Sequence, residues 1–347
     1  MAEALEDKAP VSKDLVRKDY VSDVEPRWCV GCGDYGILKA FTVAMAKLQL
    51  PREKVVIVSG IGCSSRFPYY VDTYGFHSVH GRAPAVATGI KMTQPDLSVW
   101  VITGDGDALS IGGNHFMHLL RRNPDINVIL FNNQIYGLTK GQFSPTSPQG
   151  KVTKSSPFGS IDGPLIPLPL ALTCGATFVA RVPDTDNAMI TDILVQAEQH
   201  KGVSFVEVLQ NCNIFNDGAW FDIAKKANRA ENSILLKHGE PMTFGKENNK
   251  GFRLKGMDIE VVEMEKDGVD VSELMVHDMY NQDATLAFKL ANLQHPAFPY
   301  PLGVFRQIEA PIYESGVSSQ EQKIVEKRGR GSVEKMLNSG ETWKVSA

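Results

Sequence analysis

Leu97-Ser98-Val99-Trp100-Val101-Ile102-Thr103 is followed directly by Gly104-Asp105-Gly106-Asp107. The first seven residues have strand composition with no polar alternation, which reads as a buried strand. The Gly-Asp-Gly-Asp that ends it reads as a tight turn at the strand's carboxyl end. The same arrangement recurs at Ile126–Phe131, which runs into Asn132-Asn133, 25 positions after Asp107. Working outward, Lys54–Ser59, Thr177–Ala180 and Val203–Leu209 read as further short strands. Helical spacing fills the intervals at Ile37–Leu48, Ala83–Met92, Gly113–Arg122, Leu168–Gly175 and Thr185–His200. Helices alternating with near-continuously apolar strands predict an α/β fold, a doubly wound and mostly parallel sheet covered on both faces.

The texture divides the chain in three. Residues 1–26 read as a charged, weakly structured N-terminal arm, and residues 27–222 as the α/β domain. Residues 223–347 read as a C-terminal extension that contacts a partner. Within it, residues 224–270 are heavily charged and lack the alternation, so a surface excursion is expected. A helix is expected at Asp278–Leu293. The stretch His295–Phe305 holds three prolines and is expected to run extended over the domain.

Composition excludes several classes. The chain has 347 residues, 43% hydrophobic and 22% charged, an ordinary globular balance. A net charge of -4 gives no basic field for nucleic acid. The first twenty residues lack the apolar core of a secretory signal. The longest uncharged run, Gly163 to Ala180, carries Pro164, Pro167 and Pro169 and reads as buried structure, not a membrane span. A cytoplasmic, soluble protein is expected. Five cysteines, an odd number, do not read as a disulfide scaffold.

The two strand ends carry the first chemistry. In a doubly wound sheet, ligands bind beyond the carboxyl ends of the strands. A diphosphate with Mg²⁺ needs hard oxygen donors, few of them from protein. Asp105 supplies a carboxylate, Asn133 an amide oxygen, and the Ile135 carbonyl can complete the set. Gly104, Gly106 and the adjoining Asp107 bring backbone close to phosphate, and Gly112-Gly113 is expected to open the next helix with free amides. The pair of elements resembles the signature of thiamine-diphosphate enzymes.

The cysteines carry the second. Cys29 and Cys32 form Trp-Cys-x-x-Cys; Cys63 lies in Gly60-Ile61-Gly62-Cys63-Ser64; Cys212 follows the strand Val203–Leu209. Four thiolates converging on one point suit a [4Fe–4S] cluster or a structural zinc. A thioredoxin-type pair would follow a buried strand, whereas Ser22–Arg27 is polar and broken by proline. Cys174 sits among small residues and reads as a packed thiol.

Trp28-Cys29-Val30-Gly31-Cys32-Gly33, Gly60–Ser65, His80-Gly81-Arg82, Gly104–Asp107 and Asn133–Gln142 run in this order. Together they resemble the β subunit of 2-oxoacid:ferredoxin oxidoreductases over roughly residues 27–220. The resemblance implies the thiamine-diphosphate-binding fold and one [4Fe–4S] cluster on Cys29, Cys32, Cys63 and Cys212. It implies that Ile61, Gly62, Cys63 and Ser64 lay backbone against thiamine diphosphate, and that His80, Gly137 and Leu138 line the same site. Lys140 would stand near the acyl and coenzyme A entrance, with a solvated loop lysine as the plain alternative. Arg66 would face the substrate carboxylate, with a surface salt bridge as its alternative. The plain alternative for His80 is an ordinary core or turn histidine.

Coenzyme-A-dependent oxidative decarboxylation of a 2-oxoacid, with reduction of ferredoxin, is the implied activity. The Tyr74-Gly75-Phe76-His77 context and the proline-rich stretch to Phe305 look more like the 2-oxoglutarate type, giving succinyl-CoA and CO₂; a broad or pyruvate specificity comes second. No second α/β half is legible, so the resemblance implies an α subunit that binds the aminopyrimidine, in an (αβ)₂ assembly. Two other classes stay open: a non-redox thiamine-diphosphate decarboxylase and a zinc-bearing scaffold.

Overall fold

The protein is described here by a computed structural model covering residues 14–345. In chain order its strands are β1 (Val55–Ser59), β2 (Tyr74–His77), β3 (Ser98–Gly104), β4 (Asn127–Asn132), β5 (Phe178–Pro183), β6 (Ser204–Leu209), β7 (Ser233–Leu236), β8 (Thr243–Phe244), β9 (Lys250–Lys255), β10 (Asp258–Glu263) and β11 (Tyr300–Gln307). Eight of them form one sheet in the order β2-β1-β3-β4-β6-β5-β11-β7. Every pairing in it is parallel except β5 with β11. Strands β8, β9 and β10 make a small antiparallel sheet.

The main helices are α1 (Asp34–Leu48), α2 (Ala83–Thr93), α3 (Asp105–Leu109), α4 (Gly113–Arg122), α5 (Pro167–Thr173) and α6 (Asn187–Gln199). The two-residue period of a strand sorts its side chains between the layers. In β1, Val55 and Ile57 belong to the same core cluster as Phe41 of α1 and Ile190 of α6, whereas Val56 and Val58 belong to that of Ala87 of α2 and Phe116 of α4. Both faces are therefore dry, which explains strands without polar alternation. Each such side chain contributes about 1.5–3 kcal/mol on burial. This is the doubly wound, mostly parallel sheet expected.

The C-terminal third departs from expectation. Residues 224–270 are not a surface excursion: β7 joins the main sheet, and Met242, Phe252 and Ile259 enter its core. Their charges belong to the outer side of an antiparallel pair, where Arg253 meets Glu260 at 2.7 Å. The stretch to Phe305 does not run over the domain either. It becomes β11, buried between β5 and β7. A boundary at residue 222 thus falls inside one sheet. The helix expected at Asp278–Leu293 shortens to Thr285–Ala291. Asp278, Asn281 and Asp283 instead accept hydrogen bonds from the amides two residues on, at 3.0, 2.9 and 2.8 Å. Such local turns compete with the helix.

Part of the N-terminal arm packs as well. Arg17–Tyr20 is a 3₁₀ turn, and the Tyr20 ring is buried, its hydroxyl donating to the Leu50 carbonyl. Residues 1–13 lie outside the described residues. The exposed edge strand β2 carries no burial alternation and was not expected from the sequence.

Candidate functional site

Strands β1, β3, β4 and β6 are contiguous and parallel, so the loops after them meet at one edge of the sheet. That edge encloses a cavity of about 460 Å³. Ile61, Gly62, Cys63 and Ser64 line it from β1, Gly104 to Asp107 from β3, Asn133 to Thr139 largely from β4, and Gln210 from β6.

Asp107 is the hub of the first corner. It is 3% exposed. Its Oδ1 accepts from the Ile61 amide at 3.0 Å, the Gly81 amide at 2.7 Å and His80 Nδ1 at 2.6 Å, and its Oδ2 from the Thr103 hydroxyl at 2.7 Å. Four donors occupy both oxygens, so this carboxylate ties three loops together. Because Asp107 only accepts, Nδ1 of His80 carries the proton, and Nε2 is the nitrogen left for a ligand. Gly62 holds φ +114, and Gly106 lies against the Tyr136 ring, which a methyl group there would overlap at 2.2 Å. Glycine is required at both positions.

Asp105 is also buried and lines the cavity. Its Oδ2 accepts from the Ser144 hydroxyl at 2.6 Å and the Thr146 hydroxyl at 2.5 Å. Burial outweighs these bonds and pushes its carboxyl up to about 6. Asn133 donates to Gln210 Oε1 at 2.8 Å, and its Oδ1 accepts from the Ile135 amide at 3.1 Å. An amide oxygen keeps a second lone pair after that bond. One carboxylate, one amide oxygen and nearby carbonyls match what Mg²⁺ takes from protein when phosphate supplies the rest. The expected free amide at Gly113 is not found: it donates to the Ser110 carbonyl at 3.1 Å, and Gly112 packs against Gly81.

The second corner holds the cysteines. Trp28 Nε1 donates to the Cys63 carbonyl at 2.7 Å, and Asn213 Nδ2 to the Val30 carbonyl at 2.6 Å. These bonds bring the Cys29–Cys32 loop to those of Cys63 and Cys212. A methyl placed on Gly137 would lie 3.5 Å from Cys212 Sγ and 3.7 Å from Cys63 Sγ. Burial, and after it the Asp34 carboxylate, pushes the Cys63 thiol up to about 12, and both Cys212 and Cys29 are close enough to add to the effect. Burial likewise raises Cys32, with Asp34, Cys212 and Cys63 contributing. Cys29 and Cys212 thus stand within electrostatic reach of Cys63, and Cys212 within reach of Cys32. Among the described residues no three His, Cys, Asp or Glu side chains are grouped as a single metal ion requires. A metal group bound on these thiolates would displace their protons. Cys174 packs in the core on the opposite face of the sheet from Cys32 and Cys63.

Residues 60–208 match the family model of the C-terminal TPP binding domain of thiamine pyrophosphate enzymes. The chain is 49% identical over 334 residues to the 2-oxoglutarate oxidoreductase subunit KorB of Mycobacterium tuberculosis, covering 94% of this chain and 88% of that one. The chain belongs to the β-subunit family of the 2-oxoacid:ferredoxin oxidoreductases. It is also 46% identical over 221 residues to the 2-oxoglutarate synthase subunit KorB of Archaeoglobus fulgidus, covering 63% of this chain and 82% of the relative. A solved 2-oxoglutarate:ferredoxin oxidoreductase from Magnetococcus marinus, with 2-oxoglutarate, coenzyme A and succinyl-CoA bound, superposes with TM-score 0.74 at 33% identity. That likeness covers 96% of this chain and 98% of the other.

Within this oxidoreductase β subunit, His80, Gly137 and Leu138 line the cavity, whereas Lys140 and Arg66 lie outside its lining. Lys140 is exposed, in a left-handed turn at φ +75, beside the lining residues Thr139 and Gln142. Arg66 turns toward the cysteines, donating to the Arg27 carbonyl at 3.1 Å. Three participants were not foreseen. Asp34, which follows the Cys-x-x-Cys turn directly, lines the cavity and is pushed up to about 7, chiefly by burial. Gln210 stands at the carboxyl end of β6, a position that could have flagged it. The Ser144 and Thr146 hydroxyls carry no sequence signal, because only folding brings them under Asp105. Among the described residues no helix is long and apolar enough to cross a membrane.

Proposed function

We propose that this chain is the diphosphate-binding subunit of an enzyme that converts 2-oxoglutarate and coenzyme A to succinyl-CoA and CO₂. Two electrons and one proton are released, the electrons passing one at a time to two ferredoxins. The names of the relatives support 2-oxoglutarate ahead of a broad 2-oxoacid specificity. The observation that carries the reading is the double placement of Cys63, which lines the cavity and shares Gly137 with Cys212. A cofactor in the cavity and a cluster on the cysteines would meet at that residue.

Thiamine diphosphate, when bound, supplies the electron sink for decarboxylation. The residues of this chain bind and orient it. Asp105, the Asn133 amide oxygen and the Ile135 carbonyl would hold Mg²⁺ against the diphosphate. Asp107 fixes the Ile61 amide and the His80 ring against the cavity. Cys29, Cys32, Cys63 and Cys212 would hold a [4Fe–4S] cluster, which takes electrons singly. Exposed Lys140 stands where an acyl group and coenzyme A would arrive, and Arg66 adds positive charge beside Cys63. An α subunit would complete the aminopyrimidine site in an (αβ)₂ assembly. The extension after residue 222 would contact that partner through the outer side of its small sheet. The reducing cytoplasm keeps such thiols free.

The test is anaerobic purification with the partner subunit, followed by iron, sulfide and thiamine analysis and coenzyme-A-dependent ferredoxin reduction. About four irons per chain and one thiamine are expected, with 2-oxoglutarate turned over faster than pyruvate. Thiamine without iron would move the assignment to a non-redox decarboxylase, and faster turnover of pyruvate would overturn the substrate.

A further inference from the structure

A buried ion pair sits in the middle of the sheet, away from the cavity. Arg181 of β5 and Glu207 of β6 are register partners, both fully buried, and Arg181 Nε donates to Glu207 Oε2 at 2.6 Å. The other oxygen, Glu207 Oε1, accepts from Asn132 Nδ2 at 2.7 Å. A carboxylate can only accept, so this bond decides which way the Asn132 amide faces. Its Oδ1 is thereby turned to the Thr146 hydroxyl, 2.9 Å away. Thr146 in turn lies 2.5 Å from Asp105 Oδ2. The chain of contacts runs without a break from the sheet core to the carboxylate at the cavity wall.

The geometry points to Thr146, Asn132 and the Glu207–Arg181 pair as positioning residues for Asp105. They hold its Oδ2 and leave Oδ1 as the oxygen offered to a divalent cation on a diphosphate. This rests on the diphosphate reading of the cavity. Ser144 donates to the same Oδ2 at 2.6 Å, Thr146 divides its single proton between that oxygen and Asn132 Oδ1, and among the described residues no side-chain donor reaches Oδ1 of Asp105. The first asparagine of the Asn132-Asn133 pair is thus not a ligand but the link between the sheet and Asp105. A rigid ion pair suits that task, since its neighbours cannot relax without stranding a buried charge.

Outer partners of metal ligands typically contribute about 10–100-fold to affinity. The test compares Thr146→Val with Thr146→Ser in the chain purified with its partner subunit. Mn²⁺ binding is titrated by electron paramagnetic resonance at saturating thiamine diphosphate. Positioning by the hydroxyl predicts a loss of Mn²⁺ affinity of about tenfold or more in Thr146→Val, and near-normal affinity in Thr146→Ser. A packing role predicts the reverse, because valine keeps the shape and serine loses the methyl; that result would overturn the proposal. The double variant Arg181→Met/Glu207→Met replaces the pair with apolar volume, a change proteins often tolerate. It is expected to keep its melting temperature and lose Mn²⁺ affinity severalfold; a stable double variant with unchanged affinity would remove the ion pair from the chain. Wild-type protein without thiamine-diphosphate-dependent Mn²⁺ binding would sink the diphosphate reading itself, a result distinct from both.

Discussion

The two corners of the cavity are built differently. At the aspartate corner the protein supplies its own bonding: Asp107 holds four donors, and the Ser144 and Thr146 hydroxyls face Asp105. At the cysteine corner the protein fixes backbones, through Trp28 to Cys63 and Asn213 to Val30, and burial pushes the Cys32 and Cys63 thiols up. Side chains that supply oxygen to a hard cation can be preorganised by hydrogen bonds. Thiols are weak hydrogen-bonding groups and are organised by the group they bind. One corner should therefore respond to mutation as packed structure, the other as ligation chemistry.

The largest expected effect breaks the cysteine corner alone. Cys212→Ala should lose the iron–sulfur absorption while thiamine diphosphate retention persists, and Cys174→Ala, on the other face of the sheet, should keep both. An intact cluster in Cys212→Ala would remove the fourth ligand. Next, Asp105→Ala should abolish Mg²⁺-dependent thiamine retention with the iron content unchanged. The same carboxyl sets a pH dependence. It is raised from its ordinary 3.8 to about 6, so a cation must displace a proton below that point. Retention should weaken as pH falls through about 6 and be flat above it. The stability of the metal-free protein runs the other way, because burial penalises the charged form. Asp105 makes it less stable as pH rises from 3.8 to about 6. Equilibrium dialysis and thermal melts across that range check both signs.

Smaller effects sharpen the contrast. Gly106→Ala would drive a methyl into the Tyr136 ring and should cost about 1–3 kcal/mol of stability, read as a lower melting temperature. Smallest is Lys140→Gly. Relief of the left-handed turn should add up to about 1 kcal/mol of stability. If Lys140 serves coenzyme A, the variant should raise KM for coenzyme A while thiamine and iron contents hold. An unchanged KM would leave Lys140 a solvated loop residue.

Local chemistry was legible in the sequence wherever it coincided with a strand end. Helix Gly113–Arg122 has the residue bounds expected, and the strands leading to Asp105, Asn133 and Gln210 begin and end within one residue of their expected positions. Strands buried on both faces leave an unbroken apolar run, and a glycine or asparagine punctuates it. The C-terminal third misled because β9 and β10 have one charged face, while buried β11 is interrupted in sequence by Pro301 and Gly303. Arg253 and Glu260 look like surface coil in sequence and like a cross-strand pair in space.

The sequence by itself determined the parallel α/β architecture and the strand ends, with Cys63 after β1 and Asp105 after β3, that line the cavity. Each is encoded by residue type at a strand terminus, and parallel strands bring their termini to one edge. Only the tertiary structure decided that β11 enters the main sheet antiparallel, that Asp107 clamps loops, and that Asp105 rests on Ser144 and Thr146. These are contacts between segments tens of residues apart. Their partners are chosen by packing and by the need to satisfy buried polar atoms, which no local pattern records.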